Sequence, residues 1–139
     1  MMHLQYIFYG QHQKEQDMSK SLYERLGGSD TVKIAVDKFY DRMLNDDRVS
    51  SFFSRTDMDR QRRRQQSFLI FAFGGPNNYD GQDMRKAHEK MWDKGLSDEH
   101  VDIVIEHLGA VLTELGVAPA DIQEVANIAN SVRDDVLGR

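Results

Sequence analysis

The stretch "SDEHVDIVIEHLGAVLTELG", Ser97 to Gly116, places Val101, Val104, Ile105, Leu108, Val111, Leu112 and Leu115 at steps of three and four. Those steps return side chains to one face of an α-helix, so the segment predicts an amphipathic helix capped by Ser97 and stopped at Gly116. Its apolar stripe has to be buried against other elements. No part of the chain shows the strict alternation of a half-buried strand, and no internal repeat appears, so the predicted class is all-α.

The punctuation elsewhere agrees. Ser21 and Glu24 have capping-box spacing at the head of a short helix that stops at Gly27-Gly28. A second helix is predicted from Asp30, its cap, with Val32, Ala35, Val36, Phe39, Tyr40 and Met43 inward, until "NDD" at Asn45 to Asp47 breaks the pattern. A turn carries Phe52 and Phe53, and a third helix runs to Gly74-Gly75-Pro76. After the loop "GGPNNYDGQD" a brief helical piece is expected around Met84 to Met91. Pro119 opens a last helix with Ile122, Val125, Ile128, Ala129 and Val132 inward.

Composition narrows the function classes. At 139 residues, 40% hydrophobic and 29% charged, the chain describes one soluble domain with a single core. Residues 1–20, an aromatic cluster followed by a Gln-rich run, read as an appendage without signal-peptide features, and residues 21–139 as the domain; Met18 is a candidate start. The net charge of −5 repels phosphate backbones, so no nucleic-acid partner is expected. The absence of Cys removes disulfides and thiolate metal sites and suits a cytoplasmic location. The longest apolar run, "FLIFAF" from Phe68 to Phe73, is far short of the ~18 residues of a membrane span, so no membrane association is expected.

"DMDRQRRRQQSF", Asp57 to Phe68, holds four arginines and three glutamines. At about 100° per residue, Met58, Gln61, Gln65, Phe68 and Ala72 share one face, Arg63 lies nearly opposite, and Arg60, Arg62 and Arg64 take the flanks. The arginines therefore form no single patch. Gln61 and Gln65 stand where leucines are usual, and a buried amide without partners costs about 1–3 kcal/mol. Either the stripe is a solvated groove or something polar waits inside. Tyr40, inward on the second helix, also needs a partner for its hydroxyl. A small polar guest among apolar walls would satisfy both helices.

Five histidines are candidate ligands. His3 and His12 lie in the appendage, while His100 and His107 are expected at the surface of the stripe-bearing helix. His88 sits with Met84 one turn before and Trp92 one turn after, a setting that fits either a core histidine or a metal ligand.

The run "LYERLGG…AVDKFYDRML…FF…TDMDRQRRRQQSFLIFAFGGPNNYDGQDMRKAH" resembles the group I truncated haemoglobins, small two-over-two helical globins, and their cyanobacterial and algal members closely. The resemblance extends from Ser21 to about Leu137. It implies a sandwich of helices around one haem b per chain, with His88 as the iron ligand and Tyr40, Gln61 and Gln65 as the distal hydrogen-bonding set. It implies pocket walls from Phe52, Phe53, Phe68, Phe71, Tyr79, Met84 and Leu96, and a propionate partner in Arg60. A neutral imidazole leaves the sixth position open for O2, CO or NO, and hydroxyl and amide donors stabilise a ligand with partial negative charge.

Two departures from these relatives stand out. Where some carry a histidine that ligates iron internally, this chain has Arg64, better suited to a propionate or the pocket mouth because a guanidinium has no lone pair to give. The last-helix region "NSVRDDVLGR" lacks the histidine that bonds to a haem vinyl in others, so the haem is expected to be held non-covalently. The expectation is a monomeric gas-binding protein, with NO oxidation to nitrate when an unidentified reductase supplies electrons. A haem-less helical interaction module and a nucleic-acid binder built on the arginine helix are the alternatives. A red preparation with a Soret band excludes both as main functions.

Overall fold

Side-chain caps and a glycine stop set the helix limits in the computed structural model, which describes residues 21–75 and 81–139. The appendage, with His3 and His12, and Tyr79 lie outside the described residues. Ser21 caps α1 (Leu22–Arg25), its Oγ accepting from the Glu24 N–H at 3.2 Å. Asp57 caps α3 (Met58–Ala72) in the same way, accepting from the Arg60 N–H at 3.2 Å. At the far end of α3, Gly74 adopts φ 78°, and the N–H groups of Gly74 and Gly75 turn back to the carbonyls of Phe71 and Ile70 at 3.0 and 2.8 Å. This double closure satisfies carbonyls the helix leaves open, and the left-handed residue it needs is cheap only for glycine.

α2 (Ser29–Leu44) buries the six residues its spacing selected: Val32, Ala35, Val36, Phe39, Tyr40 and Met43. Its cap is Gly28 rather than Asp30, which falls in the first turn, where a carboxylate favours the positive end of the helix dipole. A 3-10 turn (Ser50–Phe53) follows, and then α3. α4 (Gly81–Trp92) begins three residues earlier than the apolar spacing from Met84 suggested. α5 (Asp98–Glu114), α6 (Pro119–Ser131) and a short α7 (Arg133–Leu137) complete the order, with no strand among the described residues.

α2 packs on α3 and on α5, α5 on α6, and α3 touches α6, which makes two helix pairs laid over each other. Leu69, Leu108, Val111 and Leu112 lie at the centre, nearly inaccessible. Each such side chain contributes about 1.5–3 kcal/mol by leaving water. Among the described residues no helix is long and apolar enough to cross a membrane.

His107 corrects an expectation. It is buried rather than at the surface, its Nε2 donating to Asp46 Oδ2 at 2.6 Å while its Nδ1 accepts from Arg42 Nε at 3.1 Å. α5 is covered by α2 on one side and by α6 and α7 on the other, so the buried arc is wider than the apolar stripe.

α4 packs chiefly against α7, a helix that the sequence pattern did not reveal. Trp92 Nε1 donates to the Val136 carbonyl at 2.8 Å. Arg85 donates to Asp135 Oδ1 at 2.8 Å and to the Arg139 carbonyl at 2.7 Å. Gly138, at φ +72°, lies so close to the Trp92 ring that a Cβ there would sit 2.7 Å from it. The last residues thus clamp the helix that carries His88.

Candidate functional site

One cavity gathers side chains from α2 to α7 and the 3-10 turn between α2 and α3. Its walls are largely apolar, with Phe39, Phe52, Phe53, Phe68, Met84, Leu96, Val104 and Leu108 among them. The polar groups that border it are few: Tyr40, Gln61, Arg64, Gln65, His88 and His100.

On the side of α2 and α3, Tyr40 is 1% exposed. Phe39 and Phe53 meet its ring nearly edge-on, with centroids at 5.0 and 5.7 Å. Its hydroxyl oxygen accepts from Gln61 Nε2 at 3.0 Å. This bond joins the two helices and gives Gln61 a partner inside, while accepting it polarises the Tyr40 hydroxyl as a donor in its turn. Gln65, one turn on, is half-buried and borders the same space.

On α4, His88 Nδ1 lies 2.8 Å from the Met84 carbonyl. A carbonyl only accepts, so Nδ1 carries the proton and Nε2 keeps its lone pair. Burial pushes the imidazole below its ordinary pKa of 6.5; the Met84 bond works against this shift and the charge of Arg64 with it. The ring is therefore neutral at physiological pH, and a backbone carbonyl behind one nitrogen is how proteins fix histidines that bind metal through the other.

No group of three or more His, Asp or Glu gathers among the described residues. The absence of such a set among the described residues suits a metal that brings most of its own ligands. A porphyrin does so, and a flat apolar macrocycle suits aromatic and aliphatic walls with one imidazole. The residues present fit haem.

The Bacterial-like globin family model matches residues 21–137. The chain belongs to the group 1 truncated haemoglobins. The GlbN globin of Synechocystis sp., a group 1 truncated haemoglobin, is 50% identical over 112 residues, which cover 80% of this chain and 90% of that one. The fold of this globin matches the 2/2 haemoglobin of Synechococcus sp. PCC 7002, solved in the cyanomet state with covalently attached haem. The TM-score is 0.79 at 44% identity, covering 86% of this chain and 99% of that chain. The Fe(III) truncated haemoglobin of Tetrahymena pyriformis gives a TM-score of 0.76 at 45% identity, covering 86% of this chain and all of that one. Single-substitution structures of the Tetrahymena protein alter one tyrosine and two glutamines spaced 21 and 4 residues apart, the spacing of Tyr40, Gln61 and Gln65. The fold of this globin is the two-over-two sandwich, its cofactor is haem, one per chain, and its coarse function is haem-based gas binding.

The cavity brings together Tyr40, Phe52, Phe53, Gln61, Arg64, Gln65, Phe68, Met84, His88 and Leu96 of the residues singled out in the sequence. Two others do not line it. Phe71 is 39% exposed and outside the cavity lining, its ring tilted against Phe68 at 6.5 Å. Arg60 is exposed in the first turn of α3 and does not border the cavity, whereas Arg64, one turn further along, does. One residue is an addition. His100 borders the cavity, half-buried against the Phe52 ring at 4.9 Å, with its Nδ1 accepting from the Ser97 N–H at 3.0 Å. Its place three residues after the Ser97 cap was the signal available in the sequence.

Proposed function

We propose that this globin binds O2, and with it CO and NO, at a ferrous haem whose one protein ligand is His88. Haem, when bound, supplies the iron at which a diatomic gas attaches. The observation that carries the reading is a shared apolar cavity with two polar poles: a neutral His88 on α4 and the Tyr40–Gln61 hydrogen-bonded pair on α2 and α3.

His88 offers the Nε2 lone pair, held in orientation by the Met84 carbonyl. Tyr40 and Gln61, with Gln65 beside them, donate to a gas ligand that draws electron density, in surroundings where such bonds gain from the exclusion of water. Phe52, Phe53, Phe68, Met84 and Leu96 exclude that water. Arg64 borders the same space but has no lone pair for iron, so with haem bound it would leave the gas site open and would be suited to pair with a propionate instead. No histidine occurs in α6 or α7, so the haem is held without a covalent bond and acid butanone should extract it. With an external electron donor the same pocket supports oxidation of NO to nitrate, which stopped-flow mixing of the oxygenated protein with NO reads directly.

The optical spectrum of the reduced, unliganded protein tests the reading. A broad high-spin band and CO binding in one fast phase are expected, with Arg64→His moving the spectrum toward a low-spin form. A sharp six-coordinate low-spin pattern in the native protein overturns the open site, and its persistence in His100→Ala would exclude His100 as the internal ligand.

A further inference from the structure

Arg62 differs from its neighbours on α3. Arg60, Arg63 and Arg64 are exposed, but the Arg62 side chain is only 28% exposed, and its Nε is buried without a hydrogen-bond partner. A long cationic side chain ordinarily extends its head into water. Here the guanidinium carbon lies over the Tyr40 ring, 5.9 Å from its centroid, and Nε is 3.5 Å from Asp37 Oδ1, one turn before Tyr40 on α2. Two attractions hold the group down: the ring's negative face and one carboxylate. The ring contact is shielded, since Tyr40 is 1% exposed, whereas the Asp37 side chain is 55% exposed and its attraction is screened by water.

We propose that Arg62 is a positioning residue for gas binding, covering a face of Tyr40 so as to fix the phenol and strengthen its hydroxyl as a donor to the ligand. The inference rests on Tyr40 being that donor. A cation over the ring draws electron density from the phenol and makes its O–H more acidic. Gln61, which donates to the same oxygen, acts in the same direction. Asp37 holds the guanidinium beside the ring, and Phe39 and Phe53, meeting the ring edge-on, keep it from turning away. The arginine helix thus contributes to ligand chemistry from outside the cavity, because Arg62 does not border it.

The test uses the haem-loaded protein in four forms: native, Arg62→Met, Tyr40→Phe and the double variant. O2 dissociation rates and the stretching frequency of bound CO are measured on each, and thermal melting checks that each is folded. Arg62→Met should raise the O2 dissociation rate about three- to tenfold, the size expected of one partly buried cation–π contact, and shift the CO band to higher frequency. In the Tyr40→Phe background the same substitution should change neither. Unchanged values in Arg62→Met overturn the proposal, as do equal changes with and without the Tyr40 hydroxyl, which would mark a general structural effect. If Tyr40→Phe by itself leaves the O2 rate unchanged, the reading of Tyr40 as donor fails and takes this proposal with it. Should Arg62→Met not fold, Arg62→Gln removes the same charge and is judged by the same outcomes.

Discussion

The two polar poles of the cavity are held in opposite ways. Tyr40 and Gln61 are held from within, on helices whose facing sides carry Phe39, Tyr40, Phe68 and Leu69 in the core. His88 is held from behind, on a helix tied by Trp92 and Arg85 to α7, of which no residue is buried. On the proposed roles, the difference follows from what each pole would do. A hydrogen bond to a gas weakens steeply with distance and angle, so its donors need a rigid setting. A histidine that ligated iron would be held by that bond as well, so a lighter clamp would be sufficient.

The most severe way to break this comparison is His88→Ala. Outer-shell changes around a metal typically cost about 10–100-fold in affinity, and removing the ligand itself should cost more. Haem transfer to excess apomyoglobin, followed at the Soret band, should be faster than that range or complete before measurement. Haem retained at the native rate would show that the walls, not His88, hold the cofactor.

Tyr40→Phe should act on the gas and spare the haem. Losing one charge-assisted donor costs roughly 1.5–3 kcal/mol, which raises the O2 dissociation rate by about one to two orders of magnitude. Haem transfer should stay near the native rate. A variant that loses haem quickly while releasing O2 normally would reverse the roles of the two poles.

The smallest effect is expected from Trp92→Phe, which deletes the donor to the Val136 carbonyl. One such bond contributes about 0.5–1.5 kcal/mol. Melting of the apoprotein should fall slightly and haem transfer quicken a few-fold, with the O2 dissociation rate unaltered. An altered O2 rate would mean that the clamp reaches the gas-binding pole.

Much of this arrangement was legible in the sequence because it obeys local periodicity. The buried face of α2 follows from its three- and four-residue steps, and the inward glutamines and Tyr40 follow from helical angle. The proposal of His88 among five histidines rests on family resemblance, since a histidine on an apolar face has the same spacing whether it binds metal or not. His107 was misplaced because its partners, Arg42 and Asp46, lie 65 and 61 residues away and leave no local trace. α7 escaped notice because five residues with none buried carry no apolar stripe. For Phe71 and Arg60 the resemblance gives a position along the chain, whereas direction around α3 and depth set whether a side chain lines the cavity.

The clamp on α4 also bears on the order in which the molecule assembles. Tyr40 and Gln61 are 21 residues apart, whereas the bonds from α4 to the last residues span 44 to 54. Closing a longer loop costs more entropy before any contact rewards it, and α7 adds no buried side chain to help. By loop length, α4 is expected to dock on the last residues after α2 meets α3, and with its bonds made to a helix that has no buried residue it is expected to open first in the apoprotein. Opening of α4 would expose the cavity to a macrocycle while α2, α3 and α5 stay packed. Hydrogen exchange should accordingly be fastest in α4 and α7 of the apoprotein and slow there once haem is bound.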